Sequence, residues 1–192
     1  MPLTAIDETP ALIVVDLQKG ISGAGTVHPS NTVVSNARRL ADAFRARGLS
    51  VVLVNVTGGA PGRTDAHQQR PQGDRAAARP ADWADLLGDL DPQPGDIRIT
   101  KNTWGAFHNT GLADQLAARN VTQVMLTGVA TSIGVESTAR SAHEHGLNVV
   151  LATDAMTDTR ADAHEHAVSR IFPRLGETAT TDQILAKLRP AD

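Results

Sequence analysis

Short apolar runs alternate along this chain with stretches of helical periodicity. The run Ala-Leu-Ile-Val-Val at 11–15 is entirely apolar and rich in β-branched residues, and comparable runs end at Val56 and Thr127. Runs of this length, closed by polar residues or glycine, are typical of strands buried on both faces of a parallel sheet. We therefore predict strands at residues 11–15, 51–56, 96–100, 123–127, 148–152 and 178–180.

In the segments between these strands, apolar residues recur at helical spacing. In the clearest case Val33, Ala37, Leu40 and Phe44 recur on one face, and Gly48 ends the pattern. The predicted helices cover residues 31–47, 83–90, 112–118, 132–145, 160–172 and 182–188. Strands that alternate with helices in this way predict a single α/β domain over residues 1–192, with a parallel sheet covered by helices on both faces.

The stretch 57–81 differs from the rest of the chain. It contains four glycines, three prolines and four arginines but no large apolar side chain. We therefore predict a long loop, and loops of this length in a compact domain are commonly functional or mobile.

Composition narrows the possible functions. The net charge is −3 and no cluster of lysine and arginine is present, which argues against a nucleic acid as partner. The absence of cysteine excludes disulfides, thiolate–zinc sites and a cysteine nucleophile. No apolar run approaches the length of a membrane span, and the N-terminus lacks the features of a signal peptide. We expect a cytoplasmic protein that acts on a small molecule and has no membrane partner.

Two charged residues follow predicted strands. Asp16 ends the first apolar run, and Lys101 directly follows the strand predicted at 96–100. Ligands of open α/β sheets gather at the carboxyl ends of the strands, near the N-termini of helices. A carboxylate and an ammonium at neighbouring strand ends would shift each other's pKa. From the residues alone, an acid–base pair and a structural ion pair both remain open.

Three segments of the chain resemble the isochorismatase-like hydrolases, a family that includes cysteine amidohydrolases and isochorismatases. The segments are VVDLQ at 14–18, TKNTWGAF at 100–107 and TGVATSIGVESTAR at 127–140. The similarity extends over nearly the whole chain. It implies a three-layer α/β/α sandwich with a roughly six-stranded, mostly parallel sheet in Rossmann-type order. It also implies a cis peptide bond at Val129–Ala130.

The resemblance assigns roles to three residues. Asp16 matches the acid/base aspartate of the family and Lys101 matches its lysine, whereas Gly134 stands where the cysteine hydrolases have their nucleophile. The isochorismatases have glycine at that position. The resemblance therefore implies general-acid cleavage of a small, carboxylate-bearing vinyl ether. Asp16 would then be the acid and Lys101 would position and polarise the site.

Substrate contacts are expected on three segments. Trp104 and Phe107 could form an apolar wall against a ring, although packing in the core is an equally good account. Arg63 and Arg70 in the long loop could bind a carboxylate in bidentate fashion, as could Arg75. The further candidates, on the strand exit and the turn, are Gln18, Val129, Ala130, Thr131 and Ile133.

Two other functions remain open. Water, or a hydroxyl of Thr131, Ser132 or Ser137, could replace the missing thiol as the nucleophile, and the protein would then hydrolyse an amide, lactam or carbamate. A catalytically inactive binding homologue is the third possibility, although an intact Asp16 and Lys101 argue against it.

No metal or cofactor is expected. Metal-dependent nicotinamidases of the family carry an Asp-x-His cluster soon after the second strand, and the segment NVTGGAPG at 55–62 offers no such ligands. Asp162 and His166 have helical i, i+4 spacing but no evident third ligand. The glycines at 20, 23 and 25 do not match a dinucleotide-binding pattern. Because members of the family commonly assemble as dimers or tetramers, we expect a homo-oligomer.

Overall fold

Six parallel strands form one sheet in the computed structural model, which describes residues 3–23, 25–59, 62–65 and 79–188. The order of the strands across the sheet is β3-β2-β1-β4-β5-β6, as the predicted Rossmann-type order requires. The strands are β1 Pro10–Val15, β2 Ser50–Val56, β3 Ile97–Lys101, β4 Gln123–Val129, β5 Asn148–Thr157 and β6 Glu177–Ala179.

Helices cover both faces of the sheet. They are α1 Ser30–Ala46, α2 Leu112–Ala117, α3 Glu136–Glu144, α4 Ala161–His166, α5 Phe172–Leu175 and α6 Thr181–Leu188. π-helical turns at Thr131–Val135 and Ala167–Ile171 lead directly into α3 and α5. Among the described helices, none combines the length and the apolar character that crossing a membrane requires.

Alternate residues of β1 divide the core into two layers. Leu12 and Val14 belong to one apolar cluster with Phe44 of α1, and Ile13 and Val15 belong to another with Ala139 of α3. Successive side chains of a strand point to opposite faces of the sheet, so a strand covered on both sides must be apolar at every position. The predicted three-layer α/β/α architecture is confirmed.

The order of the strands determines where a site can form. The chain runs outward from β1 through β2 to β3, and then returns to place β4 on the other side of β1. The carboxyl ends of β1 and β4 therefore flank a switch point in the topology, where a crevice opens in folds of this kind. Asp16 lies at the end of β1, and the turn that leads to Gly134 follows β4.

Two predictions about local structure are wrong. The segment predicted as a helix at 83–90 forms an antiparallel bridge between Leu86 and Gln18, and only Gly88–Leu90 is helical, as a 3₁₀ turn. Backbone groups of Trp83, Asp85 and Leu87 form hydrogen bonds with the exit of β1, which helical spacing alone could not reveal. β5 continues five residues beyond the predicted end at 152, because a register shift against β4 between Leu126 and Gly128 accommodates its polar residues.

Gly128 provides a test of the close contact between β1 and β4. Its φ is +120° and a Cβ there would lie 2.0 Å from the carbonyl oxygen of Val15. We expect Gly128→Ala to lower the free energy of unfolding by about 3 kcal/mol, since β1 cannot move aside. Gly48 also has a positive φ of +68° but has open space around it. The control Gly48→Ala should cost only about 1 kcal/mol.

Urea unfolding of both variants measures the difference. Equal losses would mean that backbone conformation alone matters at position 128, contrary to the steric argument.

Candidate active site

A buried ion pair joins two of the strand ends. Lys101 is the last residue of β3, and its Nζ donates hydrogen bonds to Asp16 Oδ2 at 2.7 Å and to the Thr103 carbonyl oxygen at 3.1 Å. Only 1% of the Lys101 side chain and 6% of the Asp16 side chain are exposed. Because β2 lies between β1 and β3, the lysine extends across the end of β2 to its partner.

Burial dominates the electrostatics of Asp16. It raises the pKa of this carboxyl from 3.8 to about 6, although the Lys101 ammonium opposes the shift. Since the folded-state pKa is the higher one, the stabilisation from this group is complete below pH 3.8 and is lost as the pH rises through about 6. Among the described residues, Asp16 Oδ1 has no hydrogen-bond partner. The carboxyl can therefore hold a proton near neutral pH and has a free oxygen for a ligand.

Gly134 lies against this carboxyl. A Cβ at position 134 would lie 3.1 Å from Asp16 Oδ2, 3.1 Å from Val15 Cγ1 and 3.2 Å from the Val129 carbonyl oxygen. The peptide bond between Val129 and Ala130 is cis, as the family resemblance implies. The structure thus brings Asp16, Lys101 and Gly134 together from three separate segments. A side chain at position 134 would therefore contact the carboxyl directly.

A pocket of about 230 Å³ opens above these three residues. Its walls are largely apolar, and four of the residues predicted to contact substrate contribute to them. Trp104 and Ile133 lie on the exposed side, with 65% and 40% of their surface accessible. The predicted residues in the lining are Trp104, Val129, Ala130 and Ile133.

The structure places three predicted contact residues elsewhere. Gln18 is completely buried: its Oε1 accepts from the Val56 amide, and its Nε2 donates to the Val56 and Trp83 carbonyl oxygens. Phe107 packs in the core beside the His145 ring. These corrections share a cause, because a buried polar group must be paired and a buried aromatic ring must be packed.

Thr131 is the third of these corrections. Its side chain is buried, and its Oγ1 lies 2.9 Å from His164 Nδ1, behind the turn. The hydroxyl of Ser132, one residue later, donates to Asp158 Oδ2 at 2.7 Å. These two hydroxyls hold the turn in place, and neither residue lines the pocket.

The predicted roles of the loop arginines stay predictions. Arg63 is exposed and is not part of the pocket lining. Arg70 and Arg75 lie outside the described residues.

Six residues of the pocket lining were not predicted from the sequence, namely Ile21, Val56, Gly58, Gly59, Trp83 and Thr103. Trp83 lines the pocket, and its ring packs so closely on Gly20 that a Cβ there would come within 2.1 Å of it. The Arg79 guanidinium lies 4.1 Å from the centre of the Trp83 ring and donates to the Thr57 carbonyl oxygen at 3.0 Å. The contact between Gly20 and Trp83 joins residues that are far apart in the chain. No pattern in the sequence therefore predicted that Trp83 would lie at the pocket.

Within the described ranges, no group of three or more histidine, aspartate or glutamate side chains is arranged to hold a metal ion. Asp162 instead accepts a hydrogen bond from Arg160 at 2.7 Å.

Titration of Asp16 tests the electrostatic account. We expect its carboxyl to titrate near pH 6 in the parent protein and at higher pH in Lys101→Met, since the variant keeps burial but removes the opposing ammonium. Carbon-13 NMR of the side-chain carboxyl measures both values. Lys19→Met removes an exposed lysine that pairs with Asp82 and Asp85, and it serves as the control. A parent value near 4, or a lower value in Lys101→Met, would contradict the dominance of burial.

Known proteins are similar to this chain in sequence and in fold. The isochorismatase domain matches residues 10–183. An isochorismatase family protein of Bacillus subtilis, YwoC, is 40% identical over 185 residues, which are 93% of this chain and 94% of the relative. The ureidoacrylate amidohydrolase RutB of Stutzerimonas stutzeri is 33% identical over 177 residues, covering 79% of this chain and 71% of the relative.

A solved structure agrees over almost the full length. An isochorismatase family protein from Burkholderia thailandensis superposes with a TM-score of 0.88 at 38% identity, and the match covers 96% of this chain and 97% of that one. Sequence, fold and the meeting of three strand ends lead to the same assignment. The chain belongs to the isochorismatase family of hydrolases.

Proposed function

We propose that this hydrolase cleaves a small vinyl ether that carries a carboxylate, such as isochorismate, by general-acid catalysis without a cysteine nucleophile. The observation that carries the proposal is the Asp16 carboxyl. It is buried, its pKa is raised to about 6, and one of its oxygens is unpaired among the described residues, beside a glycine that offers no nucleophile.

Asp16 supplies the proton. In its neutral form it protonates the terminal carbon of the enol ether, and the electron pair of the double bond forms the new C–H bond. The ether oxygen then stabilises the resulting oxocarbenium ion. Water adds to the cationic carbon and returns a proton to Asp16, and the hemiketal collapses to pyruvate and an alcohol. The acid is therefore regenerated in each cycle.

Lys101 stabilises Asp16 in the part of the cycle in which Asp16 has lost its proton. After the proton has left, the Asp16 carboxylate is an anion in a buried site, where an unpaired charge is costly. The ammonium at 2.7 Å stabilises that anion. Burial and Lys101 thus favour different protonation states of the same group, which keeps both accessible near neutral pH.

The pocket suits a compact, partly unsaturated molecule. The side chains of Trp83, Trp104 and Ile133 provide apolar surface, and Gly134 leaves space beside the acid. The Arg79 guanidinium lies against the ring of Trp83, which lines the pocket, and arginine binds carboxylates in bidentate geometry.

Amide hydrolysis is the second candidate, because the Stutzerimonas relative is named as an amidohydrolase. It would require a nucleophile other than cysteine. The three nearby hydroxyls, on Thr131, Ser132 and Ser137, are all missing from the pocket lining, and two of them are bonded elsewhere. This observation argues against these three hydroxyls as the nucleophile of an amide hydrolysis.

Replacing the acid tests the proposal directly. Asp16→Asn should lower the release of pyruvate from isochorismate by at least about 100-fold, because an amide cannot transfer the proton. The fold should persist, since asparagine tolerates the left-handed conformation at this position, where φ is 53°. Asp91→Asn changes an exposed aspartate of similar φ, 48°, and serves as the matched control.

The pH dependence provides a second measurement on the same reaction. For the parent enzyme kcat/KM should be level below about pH 6 and should fall about tenfold per pH unit above it, as Asp16 loses its proton. A rate that rises with pH, or Asp16→Asn at parental activity, would rule out Asp16 as the general acid.

Position 134 separates the two candidate reactions. Gly134→Cys and Gly134→Ala should both reduce pyruvate release by about tenfold or more, because a Cβ would crowd the Asp16 carboxyl at 3.1 Å. Both variants and the parent are assayed with isochorismate and with a panel of ureido acids, carbamates and amides. If the parent releases no pyruvate while Gly134→Cys hydrolyses a member of the panel, the amidase interpretation replaces the proposal.

A further inference from the structure

Thr138 joins two segments of the site through one buried hydroxyl. It lies in α3, one turn after Gly134, and is completely buried. Its Oγ1 donates a hydrogen bond to the Gly134 carbonyl oxygen at 2.7 Å and accepts one from the Ala106 amide at 3.1 Å. The hydroxyl therefore connects the turn after β4 to the segment after β3.

That second segment, residues 102–107, carries part of the site. The Thr103 carbonyl oxygen accepts a hydrogen bond from the Lys101 ammonium at 3.1 Å, and Trp104 lines the pocket. The segment lies directly on α3, where a Cβ on Gly105 would be 3.4 Å from the Ser137 carbonyl oxygen. The position of the Thr103 carbonyl, which shares the ammonium with Asp16, thus depends on how residues 102–107 are attached to the helix.

A threonine in a helix commonly donates a hydrogen bond to the carbonyl oxygen four residues earlier, so the bond to Gly134 alone would not indicate a role in the site. The bond from Ala106 is different, because it joins residues 32 positions apart. Without the hydroxyl, the buried Ala106 amide would lose its partner, and the segment would have to move to pair it.

We propose that Thr138 is a positioning residue that holds the Lys101 ammonium at its working distance from Asp16 through residues 102–107. This inference rests on the proposed role of Asp16 as the acid. Lys101 lies at the end of β3, and Thr138 joins the segment that follows it to the turn that contains Gly134.

Thr138→Val tests this role because it keeps the shape of the side chain and removes both hydrogen bonds. The ammonium should move away from Asp16, so the carboxyl should titrate at higher pH than in the parent. The kcat for isochorismate should fall by about 10- to 100-fold, with a smaller change in KM. Thr138→Ser keeps the hydroxyl and should restore both properties.

Thr127→Val is the matched control. Thr127 is also completely buried, on β4, but its Oγ1 has no hydrogen-bond partner among the described residues. The same chemical change there should leave the Asp16 titration and kcat at parental values.

The carboxyl titration by NMR needs no substrate, so it decides the positioning role even if isochorismate is not hydrolysed. If Thr138→Val lowers the melting temperature but leaves the pH at which Asp16 titrates unchanged, Thr138 has only a structural role. If Thr138→Val does not fold, Thr138→Cys, with a weakly bonding thiol, must shift the titration in the same direction. An unchanged titration in that variant would overturn the proposal.

Discussion

The buried contact between Asp16 and Lys101 is the interaction on which the rest of the site depends. Removing two charges from water is costly, and their mutual attraction offsets that cost only when the geometry is good. Here the carboxyl and the ammonium are 2.7 Å apart and almost fully buried. Burial raises the pKa of Asp16 more than the lysine lowers it, and the result is a carboxyl with a pKa of about 6. The same pair on the surface would leave an ordinary, ionised aspartate.

The sheet makes this pairing possible by its order. β1 is central and fully apolar, so the first position after it is surrounded by protein on most sides. β3 is at the edge of the sheet, and its last residue, Lys101, lies opposite Val56 of β2. Gln18 then fixes the exit of β1 to the end of β2 through two hydrogen bonds with Val56, and a third hydrogen bond joins it to the Trp83 carbonyl oxygen. Residues that never touch a ligand thus determine the distance between the two charges.

Position 134 decides which chemistry this arrangement supports. Proteins of the same fold catalyse many different reactions, and the chemical groups at the site determine which reaction occurs. With glycine beside Asp16, the pocket contains an acid and a cation, while the neighbouring hydroxyls of Thr131 and Ser132 are engaged behind the turn. Under the function proposed above, this set of groups transfers a proton to a carbon atom, and water is the only nucleophile required.

The apolar runs of the sequence determined the six strands, their parallel arrangement and the positions of Asp16 and Lys101, because a strand buried on both faces must be apolar at every position. The family motifs added Gly134 and the cis peptide bond. Local patterns could not decide the roles of Gln18, Phe107 and Trp83, since each depends on a partner far away in the chain. Gln18 has a structural role because its side chain forms hydrogen bonds with the backbones of Val56 and Trp83. Phe107 belongs to the core because it packs beside His145. Trp83 reaches the pocket because its segment pairs with the exit of β1 instead of coiling. Only the tertiary structure supplies such contacts, and with them the burial that makes Asp16 a usable acid.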